Sequence, residues 1–366
     1  MQIIMAAMSV QELRRRIGQL AIVGFSGTSV PPELRSMARE FDLGGVIFFA
    51  RNIEEPAQVR ELSRESAALA HDWPLWISVD QEGGRVARLR RPFTEWPTMQ
   101  TLGRAGDDAL VRRFATALAT ELRAVGINLD YAPVLDIHTN PKNPVIGDRA
   151  LSEKADVVAR LGALLIETLQ SEGIAASGKH FPGHGDTSTD SHYELPIVDQ
   201  SPERLREVEL APFRAAIAAD VATIMTAHVL VPALDAERPA TLSPVIIDGL
   251  LKKTLGFNGV VISDDLGMKA ISASTGLGEA MVQSIAAGCD AVLLCNEPPD
   301  AQVGALEAVV KAVETGRLSV KRVEDALSRT ERTKHKHLKA PRPTIPMDRI
   351  GCEEHQALSA AMSQWR

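Results

Sequence analysis

Apolar positions along the chain fall into short β-branched runs that alternate with longer stretches of helical spacing. Leu20 to Phe25, Gly45 to Phe49, Trp76 to Val79, Asn128 to Asp136, a segment ending near Lys179 and His180, Ala222 to Thr226, Val260 to Ser263 and Ala291 to Cys295 read as strands. Between them the spacing predicts helices over Pro56–Ala70, Asp107–Val125, Glu153–Ser171, Pro202–Ala218, Pro244–Leu255, Glu279–Ala287 and a final helical region from Ala301 to Lys334. Ser201 is placed to cap the fourth of these helices, and Gly256 to end the fifth.

Roughly eight strand–helix alternations call for a parallel sheet with helical crossovers, and strands this apolar are buried on both faces. A doubly wound sheet would share the local pattern. The polar residues decide between them. Asp80, Asp136, Lys179 with His180, His228 and Asp264 all fall at the C-terminal ends of different strands, where a closed barrel gathers its active site into one ring. The expected fold is α/β, a (β/α)8 TIM-type barrel as a single domain over residues 1–339, with room for irregular strands. A proline-rich tail or packing arm is expected over residues 340–366.

With 366 residues the chain is long enough for such a barrel, and 45% hydrophobic and 24% charged residues are an ordinary globular balance. The net charge of −7 and scattered basic residues give no nucleic-acid footprint. No apolar run approaches the ~20 residues that span a bilayer, and the start MQIIMAAMSVQELRRR lacks the layout of a signal peptide. Cys289, Cys295 and Cys352 have neither metal-ligand nor disulfide spacing. A reduced, cytoplasmic enzyme is expected.

Three segments carry candidate chemistry. Lys179 to His192, KHFPGHGDTSTDSH, is a polar loop over a strand end and leaves three readings open. His180, His184, Asp186 and His192 are competent metal ligands. A second reading has the same side chains serve only solvent and backbone. Asp190 and His192, two residues apart, would face one side of an extended segment, so that the carboxylate fixes the imidazole tautomer and raises its pKa toward that of a working acid.

In Gly256 to Met268, GFNGVVISDDLGM, a buried strand ends in Asp264 and Asp265, of which alternation turns only one into the barrel mouth. A carboxylate there suits attack on an anomeric carbon, and its neighbour suits a helix N-cap. In Ser78 to Arg90, SVDQEGGRVARLR, a carboxylate and a guanidinium on either side of a glycine turn are suited to gripping vicinal hydroxyls. A surface ion pair is the plainer reading. A phosphate loop would need a lysine and a Ser or Thr that are not there.

Taken in order, GGVIFFARNIEEPAQV, DQEGGRVARL, NLDYAPVLDI, NPVIGDRALS, KHFPGHGDTSTDSH, MTAHV and VVISDDLGM resemble glycoside hydrolase family 3, and within it the single-domain bacterial β-N-acetylhexosaminidases. The resemblance implies a retaining glycosidase that removes terminal β-linked N-acetylglucosamine from peptidoglycan fragments through a covalent glycosyl-aspartate. The nucleophile maps to Asp264 through the match at Leu250–Lys252 and Gly259–Gly267; Thr254, on the helix before the strand, departs from the pattern. The acid/base maps to His192 with Asp190, and sugar contacts map to Asp80, Arg88, Arg149, Lys179, His180 and His228. It implies no cofactor and no metal, and a small carbohydrate or muropeptide as partner. The competing classes are a β-glucosidase or other exo-β-glycosidase of the same family, a metal-dependent barrel hydrolase and a non-enzymatic sugar-binding protein.

Overall fold

The computed structural model describes residues 10–191, 193–338 and 342–366. Among them, eight parallel strands close a barrel: β1 (Ala21–Val23), β2 (Gly45–Phe48), β3 (Trp76–Val79), β6 (Leu129–Asp130), β7 (Ala175–Phe181), β8 (Thr223–Thr226), β9 (Val260–Asp265) and β10 (Ala291–Leu294). Neighbours in the chain are neighbours in the ring, and Ala21 beside Val292 closes it. The hairpin of β4 (Gln81–Gly83) and β5 (Val86–Ala87) stands on the end of β3. The fold is the (β/α)8 barrel expected.

Side-chain alternation separates two cores. Ile22, Ile47, Trp76, Leu129, Ala175, Met225, Val260, Ile262 and Leu293 pack with Tyr131 and Cys295 in the barrel interior. Val23, Val46, Phe48, Ile77, Val79, Ile224, Val261 and Leu294 turn outward to the helices. This parity aims the residues that follow each strand. Trp76 and Ser78 point inward, so Asp80 comes out at the barrel mouth; Val260 and Ile262 point inward, so Asp264 does the same.

Several elements differ from expectation, each for a local reason. The strand expected over Asn128–Asp136 pairs only at Leu129–Asp130, because Pro133 has no N–H for a ladder. Parallel pairing resumes at Val134 opposite Lys179. The helix expected over Pro202–Ala218 is two, Pro202–Glu207 and Ala211–Ala218, since Pro212 fits only a first turn. The last helical region is likewise two, Pro299–Glu314 and Val320–Leu338, broken after Gly316 takes left-handed backbone at φ 73°. Val245–Thr254 is wound wide, with bonds such as Gly249 N to Pro244 O at 2.9 Å. The hairpin and the helices Val10–Arg16, Pro32–Phe41, Gln100–Ala105 and Glu353–Ser363 were not foreseen. The domain boundary expected at 339/340 lies outside the described residues.

The barrel floor is sealed by a lysine. Lys334, on the helix Val320–Leu338, is fully buried; its Nζ donates to Gln19 Oε1 and Gly44 O, both at 2.8 Å, and sits 5.9 Å from the Trp76 ring. Burial pulls its pKa down to about 7, against the raising influence of nearby Asp42. Between that value and its ordinary range the unfolded chain binds the extra proton, so stability rises with pH across this window and is flat below it. One such group supplies at most ~1.4 kcal/mol per pH unit. Thermal denaturation at pH 7 and pH 9 should therefore show wild type gaining more than Lys334→Met. Parallel slopes for the two proteins would contradict the assignment.

Candidate active site

Two adjoining cavities, of about 340 and 280 Å3, open at the C-terminal end of the barrel and share Asp80, Arg88, Met225 and Asp264. A larger space of about 760 Å3 lies at the opposite end, beside Pro74, Asn128 and Gly173, and contains none of the residues singled out from the sequence. Barrel chemistry belongs to the C-terminal face. The two smaller cavities are the candidate site.

One wall is a buried ion network. Lys179 Nζ lies 2.8 Å from Asp80 Oδ1 and 2.6 Å from Glu82 Oε1. Glu82 also receives Arg149 through two bonds, Nε to Oε2 at 2.9 Å and Nη2 to Oε1 at 2.8 Å. Arg88 Nη2 reaches Asp80 Oδ2 at 3.2 Å and rests over the Phe49 ring at 5.4 Å. Burial alone would push the carboxyls of Glu82 and Asp80 up and the Lys179 ammonium down. The opposite charges outweigh it: both carboxyls are held below their ordinary values, and Lys179 above its own. Every member is charged, and the wall presents hydrogen-bond donors and acceptors held in fixed positions.

The β4–β5 hairpin sets Asp80, Glu82 and Arg88 relative to one another. Gly83 and Gly84 turn at φ 108° and 58°, which side chains with a Cβ rarely accept. The Gln81 side chain accepts from Arg88 N and Leu89 N and donates to Leu89 O, which closes the loop. Of the three arginines here, Arg85 turns to Asp148 and the carbonyls of Val145 and Ile146, and Arg90 to Glu95. Arg88 alone of the three pairs with Asp80.

Lys179 and His180 are consecutive yet both line the 280 Å3 cavity. Register explains it. Gly178 pairs with Ile224 and Phe181 with Thr226, so two residues of β7 oppose one of β8, a bulge that turns both side chains to the same space. His180 Nδ1 lies 2.6 Å from Asp136 Oδ2, and this buried carboxylate also accepts from the backbone N–H of His180 and His184. Burial raises the Asp136 pKa, but His180 and the other donors hold it below its ordinary value. The pairing places a proton on Nδ1 and leaves Nε2 available.

His184 is a structural histidine. Nδ1 meets Thr187 Oγ1 at 2.8 Å and Nε2 meets Ser191 Oγ at 3.2 Å. Burial lowers its pKa to about 4, so it is neutral and braces the loop. Asp186 accepts from Thr139 Oγ1 and Gln200 Nε2. Asp190 and Ser191 line the cavity with Asp264. His192, assigned from sequence as the acid/base, lies outside the described residues. Thus His180, His184 and Asp186, three of the four side chains of the metal reading, have other partners.

At the tip of β9 the adjacent carboxylates divide. Asp264 faces both cavities, and one of its oxygens accepts from Asp265 N at 2.8 Å. Asp265 turns out and back, accepting from Gly267 N, Cys295 N and Asn296 Nδ2, and burial raises its pKa. His228, expected to touch sugar, borders neither cavity. It is fully buried, donating from Nε2 to the Asp265 carbonyl at 2.9 Å with Nδ1 against Thr241 Oγ1 at 2.8 Å. Burial lowers its pKa. Its place is beneath the strand tip that presents Asp264.

The family model for the N-terminal domain of glycosyl hydrolase family 3 matches residues 12–333. The chain belongs to this family. It is a glycoside hydrolase. The β-hexosaminidase of Nitrosomonas eutropha is 40% identical over 305 residues, which are 81% of this chain and 87% of that protein. A family 3 β-N-acetylglucosaminidase from Paenibacillus sp. str. FPU-7 superposes with a TM-score of 0.92 at 44% identity, over 96% of this chain and 68% of the other. NagZ of Neisseria gonorrhoeae, solved with N-trifluoroacetyl-D-glucosamine, superposes with a TM-score of 0.77 at 32% identity, over 94% and 97% of the two chains.

Glu82 was not among the site residues expected from sequence, and Asp136, expected at a strand end in the ring, was given no role there. Glu82 lies two residues after Asp80, the spacing that sets two side chains on one face, and that was the available signal. Replacing it by an amide would leave Arg149 and Lys179 facing a neutral group. Glu82→Gln should cost about 3 kcal/mol of stability, the scale for breaking a buried pair, and weaken sugar binding at least 10-fold. Chemical denaturation and inhibitor titration measure the two losses, and a variant unchanged in both would contradict this role.

Proposed function

We propose that this family 3 enzyme is a retaining β-N-acetylhexosaminidase that removes terminal β-linked N-acetylglucosamine, with peptidoglycan fragments as its natural substrates. The observation that carries the reading is the position of Asp264: barrel parity delivers its carboxylate to the cavity that Asp80, Arg88, Arg149, Lys179 and His180 also line. The names of the relatives, β-hexosaminidase and β-N-acetylglucosaminidase, support the choice of sugar.

In the proposed reaction, Asp264 attacks the anomeric carbon while the bond to the leaving oxygen breaks. His192, protonated and oriented by Asp190, gives that oxygen its proton. Water then attacks the glycosyl-Asp264 ester, His192 takes the proton from the water, and the carboxylate is regenerated. Two displacements return the original configuration. Asp80 and Lys179 at 2.8 Å form a ready acceptor–donor pair for adjacent hydroxyls. Such fixed groups lose nothing to reorganisation as the ring flattens.

Hydrolysis of p-nitrophenyl β-N-acetylglucosaminide beside the β-glucoside, with and without EDTA, tests the assignment. Turnover of the first alone, unaffected by chelator, is expected. Turnover of the glucoside alone would overturn the sugar and keep the nucleophile, and loss with EDTA would restore the metal reading. Asp264→Asn should lower kcat by at least 10^4-fold with inhibitor binding retained, on the scale of a lost nucleophile. His192→Ala should slow unactivated glycosides about 100-fold more than aryl glycosides, whose leaving groups need little protonation. Equal losses on the two substrates would remove His192 from the acid role.

A further inference from the structure

The helix Glu353–Ser363 lies beyond residues 12–333, the span of the family match, yet it packs against the loop that follows the hairpin flanked by Asp80 and Arg88. The connection passes through Glu121, a buried carboxylate on the helix Asp108–Ala124. Glu121 accepts four hydrogen bonds: from Thr94 Oγ1 at 2.6 Å, Thr94 N at 2.9 Å, His355 Nδ1 at 2.8 Å and Gly351 N at 3.0 Å. Two come from the loop after the hairpin and two from the C-terminal segment. Ser359 Oγ adds a bond to Glu95 O at 2.7 Å, and the His355 ring lies 6.2 Å from Trp96, whose indole packs edge-on against Phe114. Leu358 and Met362 are buried beside them.

The loop held in this way is the support of the hairpin. Gly84 N donates to Trp96 O at 2.8 Å, and Gln81 holds Arg88 N, Leu89 N and Leu89 O. A path of hydrogen bonds joined by short stretches of chain therefore runs from His355 through Glu121 to Thr94, along the chain to Trp96, and across to the hairpin turn and Arg88. Among the described residues, no member of the C-terminal segment borders either cavity of the site.

We infer that the C-terminal helix is a clamp on the sugar-gripping hairpin, with His355 a positioning residue that fixes Asp80 and Arg88 through Glu121. The inference rests on the proposal that Asp80 and Arg88 contact the sugar. Losing the clamp loosens a binding wall and leaves Asp264 where it is, so the effect belongs in KM and not in kcat.

His355→Ala in the full chain should raise KM for p-nitrophenyl β-N-acetylglucosaminide about 3- to 10-fold, the scale of indirect coupling through packed networks, with kcat within about 2-fold. His355→Asn, whose side-chain amide can place an N–H near the position of Nδ1, should restore most of the loss. A general loss of packing would not be rescued in this way. In an Arg88→Ala background, His355→Ala should add less than it does in wild type, because one of the two side chains it positions is gone. Should His355→Ala fail to fold, Ser359→Ala is measured the same way and carries the same expectation. A folded variant with unchanged KM overturns the clamp, as does a full additional effect in the Arg88→Ala background. If Arg88→Ala itself leaves KM unchanged, the sugar-contact proposal is what has failed.

Discussion

An ammonium group taken out of water is costly unless its lost hydration is replaced by opposite charge and acceptors. Lys179 is 2% exposed and meets that condition with two carboxylates, Asp80 and Glu82, from the segment after β3, the strand next but one to β7 around the barrel. Much else in the site follows from this one requirement. Glu82 has to be buried to reach the lysine, and then needs Arg149 to offset the second negative charge. Asp80 has to come off β3 with inward parity, and Arg88 has to return along the hairpin to meet its other oxygen. The wall is therefore a unit of three cations interleaved with two carboxylates, in which each side chain is held by at least one other.

The unit is also joined to the loops around it. Arg149 comes from a turn whose Asn143 donates to the carbonyls of His184 and Gly185, so the residues before Arg149 and the histidine loop are tied together. Ser191 O accepts from Ala270 N, which ties that loop to the segment following Asp264. Such cross-bonding gives a binding site its preorganisation: groups that already stand in position need little ordering when a sugar arrives.

How much of this was legible beforehand follows from the range of the signals. The barrel strands could be placed because their apolar β-branched runs are local features, and Asp264 because inward alternation over Val260 and Ile262 carries on to it. Lys179 and His180 were visible as a pair, but that both face one cavity depends on a bulge set by the register with β8, which no local pattern records. His228 is the opposite case. A histidine just past a strand end resembled a ligand of sugar, whereas Thr241 and the Asp265 carbonyl occupy both ring nitrogens. Glu82, Asp136 and Glu121 owe their roles to partners between 27 and 234 residues away, and long-range pairing of this kind leaves no periodicity to read.

The bulge in β7 has a consequence for how the scaffold can change. A strand that carries one extra residue against its neighbour is locked in frame: the two residues between Gly178 and Phe181 are Lys179 and His180 themselves, so even pairing with β8 could be restored only by removing one of the two cavity-facing side chains. Length variation is thus forbidden within the strand and free to accumulate in the loop after it. In a scaffold of this kind, new leaving-group preferences would arise by exchanging loops over an unchanged strand, and a graft that moves Lys179 and His180 to another barrel would have to carry the whole of Ala175–Phe181 with them.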